Sequence, residues 1–336
     1  MNPKSADLLR ITALFLVILL HVAASAFGHF HDAWEITTFY GSLSRVCIPL
    51  FFMLSGALLL NKTETIKLFF MKRAGKIIVP TLFWSFAYLF YRKYVTGPIN
   101  SSVDPAQILK GPTYYHLWFM YAIITLYIAT PLLRVFNLHA TRELKWYVVT
   151  CWFLAYSVIP WFSWNSDINF EAGLGFIPKY AGFMLLGSLL SEYADRVRPV
   201  FSIFLFAAGS FLTFVLTVWY SVETGAPNER FYAYVAPNVI MAAAGLYLLL
   251  NQAGEKLSGK TAKRLNIISE CTFGIYLVHV IIMDTLINDA LKKMAGTDFN
   301  NIYSVINIPV IAICCAVISF IVILSIKKMP LLKHVA

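Results

Sequence analysis

Three ionisable side chains stand inside long apolar runs of this sequence: His21 in LRITALFLVILLHVAA, Arg45 in YGSLSRVCIPLFFML and His279 in FGIYLVHVIIM. Insertion scales put the cost of such a group at the middle of a membrane span at about 2.5–3.5 kcal/mol, so each is a candidate for function. A neutral imidazole can serve as nucleophile or general base, and a guanidinium can stabilise an oxyanion or hold a phosphate. His116 opens a further apolar run at its boundary. The structural alternative is a set of histidines that bond helix to helix, with Arg45 reaching outward to the interface.

Arg10 precedes His21 by eleven residues, close to three helical turns, which places both on one face. Asp7 falls on nearly the same face and can pair with Arg10. A polar stripe from the inner surface to a deep imidazole suits a long anionic substrate. The densest basic stretch is residues 61–76, which runs into FFMKRAGKIIVP. Arg73 and Lys76 are three residues apart on one side of a helix and can clamp phosphates, although the loop also has the composition of a simple basic anchor. Walker, GxSxG and HExxH patterns are absent, as is a GxGxxG after a strand. Cys47, Cys151, Cys271, Cys314 and Cys315 lie in apolar runs without metal-ligand spacing, so neither a disulfide nor a metal site is expected.

The elements that must position these groups follow from composition. Of 336 residues, 59% are hydrophobic and 13% charged, against about 45–50% and about 25% in soluble proteins. That excludes a soluble globule, a disordered chain and a secreted disulfide scaffold. Ten apolar runs are expected near 8–26, 40–60, 77–95, 117–135, 146–162, 176–190, 200–220, 234–251, 268–287 and 303–326. The fold class is therefore an all-α polytopic membrane protein with about ten transmembrane helices, because backbone groups in lipid must pair within their own segment. Of the 27 Lys and Arg, nineteen fall on one set of connections and seven on the other, with Arg45 inside a span. The asymmetry predicts both termini in the cytoplasm. It also makes the net charge of +10 topological, so nucleic-acid binding is not expected. At 1.5 Å per residue the depths from the inner face are ~20 Å for His21, ~22 Å for Arg45 and ~17 Å for His279. Lys4, the apolar run 11–20 and Ala24-Ser25-Ala26 also have the layout of a cleavable signal peptide, against which Arg10 and His21 argue. Residues 1–336 read as one integral-membrane domain, without internal repeats, in which residues 61–76 form a basic cytoplasmic loop.

At these residues the sequence resembles the membrane acyltransferase-3 family, whose members O-acylate bacterial surface glycans. DLLRITALFLVILLH (7–21) is similar to the family's opening Asp-x-x-Arg and later His. RVCIPLFFMLSG (45–56) is similar to its second helix, and FFMKRAGKIIVPTLFW (69–84) to its Arg-x-x-Arg-x-x-Pro loop, with Lys76 in place of the second Arg. YYHLWFMYAIITLYIATPLL (114–133) resembles its His-Leu-Trp-Phe segment, and CTFGIYLVH (271–279) its late Gly-x-Tyr-x-x-His. The likeness is greatest to the branch that O-acetylates enterobacterial common antigen.

The resemblance implies cytoplasmic acetyl-CoA as co-substrate, with no permanently bound cofactor. The acceptor would be a hydroxyl of a cell-surface glycan or its lipid-linked precursor. His21 and Arg45 would be catalytic, and Arg10, Arg73 and Lys76 would bind acyl-CoA. His116, Trp118, Tyr276 and His279 would line the acceptor side. The bacterial inner membrane and its lipids are the expected setting, with homo-oligomerisation left open. A proton-coupled secondary transporter of an anionic sugar or small molecule is the alternative, and it calls for inverted repeats that the sequence does not show.

Overall fold

The structure, a computed structural model, describes residues 1–96, 104–162, 178–286, 303, 305–330, 332, 334 and 335. Phe176 and Ile177 of the sixth expected run lie outside the described residues, as do Lys292, Lys293 and Lys333 of the charge count. Every regular element among the described residues is helical. Among the described residues, seven stretches are long and apolar enough to cross a membrane, and a bent pair makes an eighth. The stretches are Pro3–Ala24, Trp34–Leu59, Ile66–Thr96, Tyr115–His139, Pro199–Thr224, Arg230–Glu255 and Asn307–Lys327; the pair is Gly259–Ser269 with Thr272–Thr285, bent by 56°.

Two expected runs are not among these, for physical reasons. The run at 146–162 is carried by α8 (Arg142–Phe153), a π-helical turn (Leu154–Val158) and α9 (Ile159–Phe162), and α8 opens on Arg142, Glu143 and Lys145. The run at 176–190 is carried by α10 (Ala181–Tyr193), whose 13 residues span ~20 Å, short of a ~30 Å hydrocarbon core. Helix α10 is surrounded by protein, with every residue from Ala181 to Leu190 buried.

The centre of the bundle is α1 (Pro3–Ala24), started by the Asn2 side chain, which accepts from the Lys4 amide at 3.0 Å, and by Pro3 in the first turn. Its residues are apolar nearly all round, as an interior helix requires. It touches α2 (Trp34–Ser44), α3 (Cys47–Leu59), α12 (Pro237–Glu255), α13 (Gly259–Ser269), α14 (Thr272–Thr285) and α15 (Asn307–Lys327). Helices α7 (Trp118–His139) and α11 (Pro199–Thr224) lie further out, with rows of exposed Leu, Ile, Val and Phe facing where lipid would lie.

Helices α3 and α10 approach through a reciprocal pair of glycines. A Cβ on Gly56 would sit 1.9 Å from the Met184 carbonyl oxygen, and one on Gly187 would sit 2.1 Å from that of Met53. Close backbone approach of this kind is what small residues supply between membrane helices. Gly56→Leu is expected to lower the detergent-solubilised protein's Tm and its monodisperse yield. Gly28→Leu, where nothing lies within 4 Å, is expected to leave both near wild type. Equal behaviour of the two variants in a fluorescence-detected melt would remove this role for Gly56.

Candidate active site

Local backbone irregularity marks two of the candidate cations. Pro49 and Pro80 have no N–H to offer the carbonyl four residues earlier, and these carbonyls belong to Arg45 and Lys76. The chain responds at the first by breaking between α2 and α3, so that Arg45 caps the end of α2 at Ser44. At the second it widens into a π-turn, Ala74–Ile78, between α4 (Ile66–Arg73) and α5 (Val79–Tyr91). A third irregularity, the bend between α13 and α14, splits the expected run 268–287. There the Thr272 hydroxyl donates to the Ser269 carbonyl at 2.7 Å, capturing an acceptor that a continuous helix would use.

These elements enclose a cavity of about 770 Å3. Its mouth carries Arg10, Lys62, Lys72, Arg73 and Lys76, with Asp7 and Glu270 the acidic members. Its walls are apolar: Phe51, Leu54 and Leu58 from α3, Phe119, Met120 and Ile123 from α7, and Phe273 from α14. A basic mouth over an apolar shaft matches a ligand with an anionic head and a long, weakly polar arm. Asp7 is buried and receives Arg10 at 3.0 Å, the Ser269 hydroxyl at 2.7 Å and the Asn266 amide at 3.3 Å. Arg10 is thereby aimed and still keeps donors for a ligand. Lys76 makes no ion pair among the described residues and stands exposed at the mouth.

The deep end of the cavity is Tyr276, whose hydroxyl donates to the His116 carbonyl. Behind it lie the three histidines. His279 stacks on His21 with ring centroids 5.3 Å apart, and His116 meets His279 edge-on at 5.4 Å. The Tyr276 ring is 5.7 Å from both His116 and His279, and Tyr115 meets His21 edge-on at 5.2 Å. A carbonyl can only accept, so Nδ1 of His279, 2.6 Å from the Tyr276 oxygen, carries the proton. Nε2 of His279 is then a lone pair, buried and without a hydrogen-bond partner. Arg45 stands close enough for its charge to act on His21. Its guanidinium lies over the Tyr232 ring at 4.1 Å and 3.6 Å from Glu229. Trp118 stacks on Tyr234 at 5.6 Å, and Tyr234 in turn sits against Arg45.

Residues 4–327 match the family model described as an acyltransferase domain. The chain belongs to the acyltransferase-3 family. It is therefore an acyltransferase and, with its apolar helices, a multi-pass membrane protein. Comparison with curated proteins and with solved structures returned no match.

In this acyltransferase the nine singled-out residues fall into three groups. Arg10, Arg73, Lys76 and Tyr276 line the cavity. His21, His116 and His279 form the cluster behind Tyr276. Arg45 and Trp118 belong to an adjoining aromatic group with Tyr232 and Tyr234. No group of three or more His, Cys, Asp or Glu among the described residues is placed to hold a metal ion.

Two residues that sequence reasoning passed over organise the mouth. Glu64, started into place where Thr65 caps α4, binds Arg73 at 3.0 Å, Lys72 at 3.0 Å and Arg134 at 3.2 Å. Arg134, a buried residue of α7, also donates to the Leu59 and Glu64 carbonyls and so ties the loop to the bundle. Phe69 lies under both guanidinia, 4.2 Å from Arg73 and 5.0 Å from Arg134. The available signal was that Glu64 is the single acidic residue in the basic stretch 61–76.

Burial pushes the Glu64 carboxyl upward, but the Lys72 hydrogen bond and the Arg73, Lys72 and Arg134 charges outweigh it and hold it below the usual carboxylate range. A carboxyl depressed on folding contributes stability above its unfolded pKa and loses it as pH falls through the folded one. Glu64→Gln is thus expected to lower Tm at neutral pH. The gap to wild type should close as pH drops below the ordinary carboxylate range. A gap that stays constant from neutral to acid in thermal melts would show that the charge is not what holds the loop.

Proposed function

We propose that this protein is an integral-membrane O-acetyltransferase that moves an acetyl group from cytoplasmic acetyl-CoA to a hydroxyl of a bacterial cell-surface glycan or its lipid-linked precursor. The observation that carries the reading is the course of α1. Arg10 stands on the wall of the basic cavity and His21 stands in the histidine cluster beyond its deep end. In parallel, Ser269 bonds Arg10 and His279 stacks on His21 along the α13–α14 side. One ligand lying along this path would place phosphates at the mouth and a thioester near the imidazoles.

On this reading the termini are cytoplasmic, α8–α9 and α10 complete a set of about ten spans, and the setting is the inner membrane. The acceptor branch is that of enterobacterial common antigen and similar polysaccharides. Arg10, Arg73 and Lys76 neutralise the donor phosphates, with Lys76 a point charge where a second Arg would form a fork. His21 attacks the thioester carbonyl and carries the acetyl group, or takes the acceptor hydroxyl's proton as that oxygen attacks; in either course the C–S bond breaks and CoA leaves as thiolate to be protonated. Arg45 stabilises the oxyanion or holds an acceptor phosphate. His116, Trp118, Tyr276 and His279 line the acceptor side.

His21→Ala is expected to abolish acetylation of surface polysaccharide, followed by mass spectrometry, while membrane protein level persists; retained acetylation would remove His21 from the chemistry. An acetyl group trapped on His21 with acetyl-CoA alone would identify the carrier course over the base course. Arg73→Ala is expected to raise KM for acetyl-CoA about tenfold, as the loss of one charge-assisted contact implies, with little change in kcat. An unchanged KM would place the donor phosphates elsewhere.

A further inference from the structure

Helix α14 carries a carboxylate that the site described above does not use. Asp284 follows His279 into the last turn of that helix and is half-buried. Its Oδ2 accepts from the Tyr114 hydroxyl at 3.0 Å and from the Tyr91 hydroxyl at 3.4 Å. Among the described residues, Oδ1 takes no hydrogen bond and no cation pairs with the group. An acid in an apolar span is costly, and where one stands it is paired or functional as a rule. Two phenols satisfy one oxygen of Asp284 and leave the other to a ligand that can donate.

The tyrosines connect this acid to the imidazoles. The Tyr114 ring lies 5.1 Å from that of Tyr115, which meets His21 edge-on at 5.2 Å. Asp284 stands close enough for its charge to act on Tyr115. Neither His21, Asp284 nor the three tyrosines line the basic cavity. His21 is nevertheless part-exposed and Tyr115 is 51% exposed, so the cluster has an accessible side apart from that cavity. A belt of interfacial tyrosines would turn its hydroxyls to headgroups. Here the Tyr91 and Tyr114 hydroxyls turn to Asp284 instead. Arg45, whose charge also reaches His21, belongs to the separate group with Tyr232 and Tyr234. Two groups of opposite charge therefore adjoin the histidines.

We propose that Asp284, held by Tyr91 and Tyr114, binds the hydroxyls of a neutral sugar unit of the acceptor. Sugar hydroxyls donate to Oδ1 in charge-assisted hydrogen bonds, and the Tyr114 and Tyr115 rings offer apolar surface to the C–H face of the pyranose. A uronate or phosphorylated unit is repelled at this place and left to the Arg45 group. The proposal rests on the glycan-acceptor reading above, and it makes Asp284 an acceptor-binding residue with no part in the bond changes.

The test uses the full-length protein in lipid nanodiscs, with octyl β-glucoside and octyl β-glucuronide below their micellar concentrations as calorimetric probes and empty nanodiscs as the blank. Wild type is expected to favour the glucoside about tenfold or more, the equivalent of one well-made charged contact. Asp284→Asn is expected to bring the ratio close to one, and Asp284→Glu to keep it. If Asp284→Asn does not fold, Tyr91→Phe with Tyr114→Phe, which unmoors the acid and keeps its charge, should weaken glucoside binding several-fold. A ratio near one in wild type, or unchanged binding in the folded variants, overturns the site. A lower Tm for Asp284→Asn with the ratio unchanged also overturns it, by showing that the acid only anchors two tyrosines. Discrimination that depends on Asp284 in a protein that acetylates no sugar overturns the acetyltransfer reading and leaves the sugar site standing.

Discussion

The enclosure of α1 by six other helices is the constraint from which the rest of the structure follows. A helix on the rim of a bundle can turn an ionisable residue toward lipid headgroups or let it snorkel. Helix α1 packs against six other helices, so Asp7, Arg10 and His21 each meet partners within the protein. Asp7 and Arg10 find Ser269 and Asn266 on α13, and His21 finds His279 on α14. The cavity opens where that burial is incomplete, between α1, α3, α7 and the α13–α14 bend.

Proline does much of the local positioning. Pro49 and Pro80 each free the carbonyl of a cation four residues upstream, and the helix breaks at one and widens at the other. A π-turn re-aims one side chain by a fraction of a turn without ending the helix, which is why such turns recur at functional sites. Lys76 sits within one and faces the mouth of the cavity. Thr272 acts to the same end without proline, through its hydroxyl.

Charge at the basic end is used twice. As a sum it favours the cytoplasmic side of a membrane. As an arrangement it depends on one acid, since Glu64 holds three cations that would otherwise repel one another, and Arg134 transmits that hold to α7. A buried carboxylate with three partners is strongly specified in position, because removing any one of them leaves charge uncompensated in a poorly solvated place.

The sequence by itself determined the class of structure and singled out residues that line the cavity or cluster beside it. Composition and apolar run length demanded helices in a membrane because lipid offers no partner for a backbone polar group. A rise of 1.5 Å per residue gave His21, Arg45 and His279 similar expected depths. Local rules also contained the breaks at Arg45 and Lys76, through the prolines that follow them. What only the tertiary structure decided was which groups meet. That the three histidines share one cluster, that Tyr276 stands between them and the cavity, and that Glu64 gathers Lys72, Arg73 and Arg134 all depend on helix neighbours far apart in the chain. Helical periodicity gives the face a residue occupies but not which helix lies opposite that face. The short α10 was ambiguous for the same reason: its apolarity serves packing against α3 through Gly56 and Gly187, and an apolar run reads alike whether it meets lipid or protein.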